Sequence, residues 1–454
     1  MTPVYILLMV FAGVAMLLLM VLKFRLSAFL SLLVTAIIAG ILAGMPLSEI
    51  TTSIQNGMGS TLGFIATIVG LGAIFGQLLE TSGGAGSMAR YLLKKFGNKR
   101  APWALTLTGF FVGIPIFLDV GFIILIPVIY ALARDSGRSL LYYAIPLLAG
   151  LAVTHAMVPP TPGPTAVAQI LGVDLGWVIL FGVITGIPVV ILAGPVFGRF
   201  ISGRIYVKPP DEIKDDRPEA SLPRDDVRQL TFGLVASLIA IPLVLIIVST
   251  FVNFGLERNV LTKSLITDLV VFLGHPFTAL IIATLLAIII CLGRGFSRSD
   301  ILALSNKALG PAGIIILVTG AGGVLKQILV DSGIGQVLAE SIAGSSIPVI
   351  ILAWLLAAVV RVTQGSATVA MITSAGIMAP ILESLNMSQP ESALMVISIA
   401  SGATILSHVN DSGFWIVSKY LVMSEKNTLK SWTVMETIIS VSGLVLTCII
   451  SIFI

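Results

Sequence analysis

The sequence predicts an all-α polytopic membrane protein built as an inverted repeat, each half carrying a re-entrant hairpin and a broken transmembrane helix. Three observations predict it. Of 454 residues, 57% are hydrophobic and only 11% charged, with a mean hydropathy of +1.07, whereas about a quarter of a globular domain is charged. Two apolar runs, 101–133 and 347–382, are too long for one span, and each has flanks of one charge character at both ends. Gly70-Leu-Gly72, Gln77 and Ser82-Gly83 recur at a constant offset as Gly320-Ala-Gly322, Gln327 and Ser332-Gly333. An ordinary soluble protein is excluded, and so is a barrel, whose strands would be shorter and alternating. The net charge of +4 reports topology and gives no reason to expect a nucleic-acid partner.

The elements follow in order. Spans one and two cover about residues 4–22 and 26–45, with Lys23 and Arg25 between them. Met1-Thr2-Pro3 runs straight into apolar sequence without a basic n-region or a small-residue cleavage site. The first segment therefore reads as a retained span rather than a signal peptide. Residues 46–61 hold Glu49 and no basic residue and read as a loop before a third span at 62–82. Arg90, Lys94, Lys95, Lys99 and Arg100 then mark a cytoplasmic connection, because positive residues collect on that side. The run 101–133 is followed by Arg134 and Arg138. Basic at both ends, it enters and leaves on the cytoplasmic side, as a re-entrant hairpin tipped near 115–121. The run 140–172 breaks at Thr154-His-Ala-Met-Val-Pro-Pro-Thr-Pro-Gly-Pro164, where clustered prolines cannot continue a helix. Residues 175–197 return to the basic side. A polar stretch, 206–229, reads as a cytoplasmic linker between an N-terminal repeat, 1–205, and a C-terminal repeat, 230–454.

In the second half, 230–252, 269–292 and 312–330 read as spans, with Arg294, Arg298 and Lys307 after the second. The run 347–382 has Asp331 and Glu340 before it and Glu383 and Glu391 after it, with no Lys or Arg in those flanks. It is the same hairpin opening outward. The run 393–420 breaks at Ser407-His-Val-Asn-Asp-Ser-Gly413, Lys419, Lys426 and Lys430 return the chain to the cytoplasm, and 432–454 is the last span. This topology puts every Lys and Arg except Arg258, Lys263, Lys326 and Arg361 on one side. The third span and its partner then run in opposite directions. Inverted repeats with discontinuous helices hold substrate near mid-membrane, at the repeat interface.

The chemistry concentrates at Arg361-Val-Thr-Gln-Gly-Ser-Ala-Thr368. An Arg in lipid costs on the order of 2.5–3.5 kcal/mol by insertion scales. Such a cluster persists at depth where it lines a protein cavity. Arg361 can grip a carboxylate with a bidentate fork, or pair structurally with Asp119 or Asp411. Thr363, Gln364, Ser366 and Thr368 offer hydroxyls and an amide, and Gly365 lets backbone approach closely. The alternative for the hydroxyls is to bond back to their own helix. Asp119 and Asp411 are the acids most plausibly at depth, as proton carriers or, for Asp411, as the ionised partner of Arg361. His155 and His408 each follow a hydroxyl residue, Thr154 and Ser407, at the two helix breaks. They are rival proton carriers or hydrogen-bonded structural residues. Asn410 and Ser412 complete a polar break suited to ligand hydroxyls. Thr161, Gly163 and Thr165 belong to a stretch that is architecture first, though they can also face ligand. Glu80 and Lys326 lie near span ends, where snorkelling accounts for them. No spacing of Cys, His or acids suggests a metal or cofactor.

These residues resemble the gluconate permease family of bacterial proton symporters over essentially the whole chain. The most specific pieces are Gly113-Ile-Pro-Ile-Phe-Leu-Asp-Val-Gly121, Pro159-Pro-Thr-Pro-Gly-Pro-Thr165, Gly365-Ser-Ala-Thr-Val369 and Ser407-His-Val-Asn-Asp-Ser-Gly-Phe-Trp415. The resemblance implies uptake of gluconate or a related sugar acid with protons across the bacterial inner membrane. It also implies a homodimer in which a transport part moves against a scaffold, elevator fashion. One departure is Thr161, where related proteins often carry His. Some relatives carry D-serine instead, and that branch lacks equivalents of Arg361 and of His408-Val-Asn410. A sodium-coupled carboxylate carrier is the alternative, since carbonyls at helix breaks can also hold Na⁺. An anion channel fits the broken inverted repeat poorly. An intramembrane hydrolase would need a nucleophile and base that no spacing here supplies.

Overall fold

The computed structural model describes residues 12–13, 15–21, 23–210, 229–334 and 347–454. The first expected span, the 206–229 linker and Glu340 fall wholly or mostly outside them. Among the described residues every regular element is helical. Seven helices are long and apolar enough to cross a membrane, or eight if one bent pair counts as a single span.

The first half comprises α1 (Ala28–Leu42), α2 (Leu47–Thr81), α3 (Gly84–Phe96), α4 (Ala101–Val112), α5 (Leu118–Ser136), α6 (Leu141–Met157), α7 (Pro162–Leu171) and α8 (Leu175–Ser202). The second comprises α9 (Phe232–Glu257), α10 (Leu265–Gly274), α11 (Pro276–Leu292), α12 (Arg298–Asp331), α13 (Val349–Gln364), α14 (Ala367–Ser384), α15 (Gln389–Gly402), α16 (Ser412–Tyr420) and α17 (Glu425–Ile450). From α2 and from α12 onward the same order recurs. A very long helix precedes two helix pairs joined by short breaks, and one long helix follows. Both closing helices, α8 and α17, contain a π-helical turn, at Leu192–Val196 and Leu429–Thr433.

The structure corrects three element boundaries. Residues 46–61 are not a loop: α2 runs unbroken from Leu47 for 35 residues, about 52 Å at 1.5 Å per residue. The polar character there is a packing stripe. Ser53, Gly57 and Thr61 are buried at helical spacing against α12, where a Cβ on Gly57 would sit 2.6 Å from the Gly323 carbonyl oxygen. Small residues let two backbones approach this closely, and a hydropathy reading mistakes them for loop. Likewise, 312–330 is only the end of α12, a 34-residue helix capped at Ser297, whose side chain accepts from the Asp300 N–H. Finally, 269–292 is not one straight span. It bends by 66° between α10 and α11, where His275 caps α11 by accepting from the Phe277 N–H at 3.3 Å and Pro276 starts the new helix.

The helices are interrupted at 113–117, 158–161, 365–366 and 403–411, so the tip expected near 115–121 and the breaks expected at 154–164 and 407–413 each overlap an interruption without matching its bounds. The centre of the bundle is α6 with α7, whose apolar window is 89% buried. α6 packs on α4, α5 and α8, while α7 packs on α14. Residues of three of the breaks, 113–117, 365–366 and 403–411, border one cavity, although Leu406 and Val409 of the last are exposed.

Candidate functional site

α13 ends at Gln364 because Gly365 takes a left-handed conformation, φ +79°, with its N–H bonded to the Arg361 carbonyl at 2.9 Å. Only glycine serves there for a second reason: a Cβ would lie 2.2 Å from the Asn410 carbonyl oxygen. Ser366 then caps α14, its hydroxyl accepting from the Val369 N–H. The 403–411 break closes over this tip. Asn410 Nδ2 donates to the Val362 and Thr363 carbonyls at 3.0 and 3.3 Å, and His408 Nε2 bonds the Val362 carbonyl at 3.1 Å. These are carbonyls that a helix C-terminus leaves unsatisfied.

Arg361 is 4% exposed. Its Nη2 pairs with Asp411 Oδ2 at 2.5 Å, and its Nη1 donates to the Gly365 carbonyl. Asp411 caps α16 by accepting from the Gly413 N–H at 3.0 Å and also accepts from the Ser407 hydroxyl. Ser407 Oγ in turn accepts from Trp432 Nε1 at 2.7 Å. One network therefore joins the hairpin tip, the helix break and α17.

Beside it lies a cavity of about 520 Å³, lined by Phe117, Asp119, His155, Arg361, Gln364, Gly365, Ser366, Thr368, Thr404, Asn410, Asp411, Ser412, Trp432 and Glu436 among others. Its size falls within the usual range for small-molecule sites, about 300–1,000 Å³. The first residues of α5, α14 and α16 are all in its wall. Three helices thus begin at the edge of one space, an arrangement that favours an anion. Several buried polar atoms have no hydrogen-bond partner among the described residues: Arg361 Nε, both amide atoms of Gln364, and His155 Nδ1.

The structure brings together ten of the sequence-derived candidates: Asp119, His155, Arg361, Gln364, Gly365, Ser366, Thr368, Asn410, Asp411 and Ser412. Others lie off the cavity. Thr154 donates to the Gly150 carbonyl at 2.9 Å and Thr165 to the Thr161 carbonyl at 2.7 Å. Thr161 donates to the Val158 carbonyl and lines a separate small pocket with His155. Gly163 packs against Met371, whose sulfur would lie 2.7 Å from an added Cβ. Thr363 donates back to the Val359 and Val360 carbonyls. Helix phase explains Thr363: positions 361, 364 and 365 share a face, and 363 does not. Ser407 and His408 stand behind the site, holding Asp411 and the α13 terminus.

Sequence reasoning missed Phe117, Thr404, Trp432 and Glu436. A signal existed for Glu436, an acid inside an apolar run. It was masked by the nearby Lys426 and Lys430, which make that end of the helix look interfacial. Beyond Phe117 lies a second cavity of about 270 Å³, lined by Gln77, Glu80 and Lys307. Glu80, expected only to snorkel, lines this space, with Gln77 Nε2 donating to it at 3.1 Å.

A bundle of membrane-crossing helices enclosing a polar cavity under a buried guanidinium has the architecture of a membrane permease. The chain matches the model for GntP family permeases over residues 5–453 and belongs to that family. It is 42% identical to the low-affinity gluconate transporter of Escherichia coli K12, over 98% of this chain and 97% of that one. It is 40% identical to the gluconate permease of Pseudomonas aeruginosa, over 98% of both chains. The Gnt-II system L-idonate transporter of E. coli K12 is 38% identical, over 96% of this chain and 97% of that one. Two solved structures share the fold at low identity. They are the Alcanivorax borkumensis YdaH transporter, with TM-score 0.66, 14% identity and 94% of this chain against 98% of that one, and Neisseria gonorrhoeae MtrF, with TM-score 0.63, 16% identity and 93% against 94%. The protein is thus a multi-pass protein of the bacterial inner membrane.

Proposed function

We propose that this chain imports gluconate or a closely related sugar acid in symport with protons. The observation that carries the reading is the cavity beside Arg361, where three helices begin and where Arg361 Nε and both amide atoms of Gln364 are buried without a partner among the described residues. One carboxylate and a row of hydroxyls suit that lining: Arg361 and the N–H groups of α14 and α16 receive the carboxylate, and Gln364, Ser366, Thr368, Asn410 and Ser412 receive the hydroxyls. The gluconate and L-idonate carriers among the relatives support this substrate class. Asp119, Asp411, His155 and His408 are the sequence-derived candidates for carrying the proton. Thr154, Thr161, Gly163, Thr165, Thr363, Ser407 and His408 support the site from behind.

The architecture belongs to the same proposal. The recurring helix order supports two repeats, 1–205 and 230–454, joined by the 206–229 linker and inverted relative to each other. With 12 and 16 residues, α4 and α13 extend about 18 and 24 Å, short of the roughly 30 Å hydrocarbon core, as legs of re-entrant hairpins should. Transport then proceeds by elevator movement of the hairpins and broken helices against a scaffold, in a homodimer. The test is uptake of labelled gluconate into proteoliposomes under an inward proton gradient without sodium. Concentrative uptake that collapses with a protonophore supports the reading. Uptake only with sodium, or of D-serine and not gluconate, overturns it.

A further inference from the structure

We propose that Glu436 takes up the proton that travels with the sugar acid. The proposal rests on the symport reading above and assigns its proton to a residue outside the four named there. Glu436 is 4% exposed and lines the main cavity. It lies one helical turn after Trp432, so both project from one face of α17 into the same space. The turn just before it is the π-helical Leu429–Thr433. Such turns concentrate at functional sites. This one is tied to the Asp411 loop, with Trp432 Nε1 donating to Ser407 Oγ at 2.7 Å and the Thr433 hydroxyl donating to the Ser407 carbonyl. The distortion fixes Glu436 relative to the Arg361–Asp411 pair.

The two carboxylates near Arg361 are treated differently. Asp411 receives three donors: Arg361 Nη2, the Ser407 hydroxyl and the Gly413 N–H. Glu436 has no hydrogen bond or ion pair with any described residue, although it lines the same cavity as Arg361 and Asp411. The other titratable groups around the space are Asp119 on α5 and His155 on α6. Among the described residues Arg361 is the one cation lining this cavity, and Asp411 already matches it. An arriving substrate carboxylate adds a negative charge that no second cation offsets. A proton on Glu436, drawn from water on one side and returned to water on the other, restores the balance. Sugar acid and proton then enter and leave together, an electroneutral one-to-one exchange with the medium.

The experiment compares wild type, Glu436→Gln and Glu436→Asp in proteoliposomes. At one pH unit of gradient, one coupled proton drives about tenfold accumulation of gluconate. Wild type should reach that ratio, and E436D should approach it. E436Q should show no accumulation while still exchanging internal for external gluconate. Accumulation by E436Q at the wild-type ratio overturns the role of Glu436 and leaves proton symport standing. Wild type that carries gluconate without protons overturns the symport reading itself. A measurement on wild type guards against a variant that fails to fold. Dicyclohexylcarbodiimide, which attacks protonated carboxyls in apolar surroundings, should modify Glu436 with loss of transport, and gluconate should slow the reaction. Inactivation with the adduct at Asp119 and none at Glu436 contradicts the assignment.

Discussion

The two pairs of helix breaks do different work. In the N-terminal half, the breaks at 113–117 and 158–161 are built from Pro, Gly and apolar residues with one hydroxyl, Thr161. Their nearby hydroxyls, Thr154, Thr161 and Thr165, are committed to backbone carbonyls close by in the chain. In the C-terminal half, the breaks at 365–366 and 403–411 carry a guanidinium, a carboxylate, an imidazole and two amides, knit across the gap by side-chain bonds. The helix order repeats but the chemistry does not. The first half supplies a wall, the N-terminus of α5 and two titratable groups, Asp119 and His155, and the second supplies the Arg361–Asp411 ion pair.

That contrast orders the consequences of mutation. Arg361→Gln should abolish sugar-acid uptake while protein remains in the membrane. The loss of a charge-assisted hydrogen bond to the substrate carboxylate costs about 1.5–3 kcal/mol, so binding measured by calorimetry should weaken on the order of ten- to a hundredfold. Arg361→Lys should recover only part, since an ammonium cannot reproduce the fork. Near-normal uptake by R361Q would remove the C-terminal break from the site. Gly365→Ala comes next. It combines left-handed backbone strain, on the order of 1–3 kcal/mol, with a clash against Asn410. It should lower the melting temperature in detergent and cut uptake severely. The smallest effects belong to the N-terminal half: Thr154→Val and Thr165→Val remove hydroxyls bonded to their own helices, so gluconate KM should change less than about threefold, well under the value of one hydrogen bond to ligand. A tenfold rise in either would show that these hydroxyls reach the ligand after all.

Much of this was readable from the residues because polar groups are conspicuous in an apolar chain. Each of the four breaks is marked by Gly, Pro or a run of polar residues, and Arg361 and Asp411 stand out for the cost of placing them at depth. Three things were hidden. Helix ends beyond the hydrocarbon, as in α2 and α12, are polar enough to look like loop, since hydropathy sees lipid contact and not helix–helix contact. The bend at His275 leaves no gap in apolar character. The phase of non-helical backbone has no period, so nothing in the 403–411 sequence says that His408 and Ser407 face away from the cavity while Asn410 and Ser412 face it. Glu436 escaped because Lys426 and Lys430 nearby make that end of its helix look interfacial.

The most direct measurement is a structure of the protein with gluconate bound in lipid nanodiscs. The carboxylate should lie within hydrogen-bond reach of Arg361 and of the N–H groups opening α14 or α16, with the polyol chain against Gln364 and Ser366. Gluconate seated instead in the smaller cavity lined by Glu80 and Lys307, with the Arg361–Asp411 pair untouched, would contradict the assignment of the site.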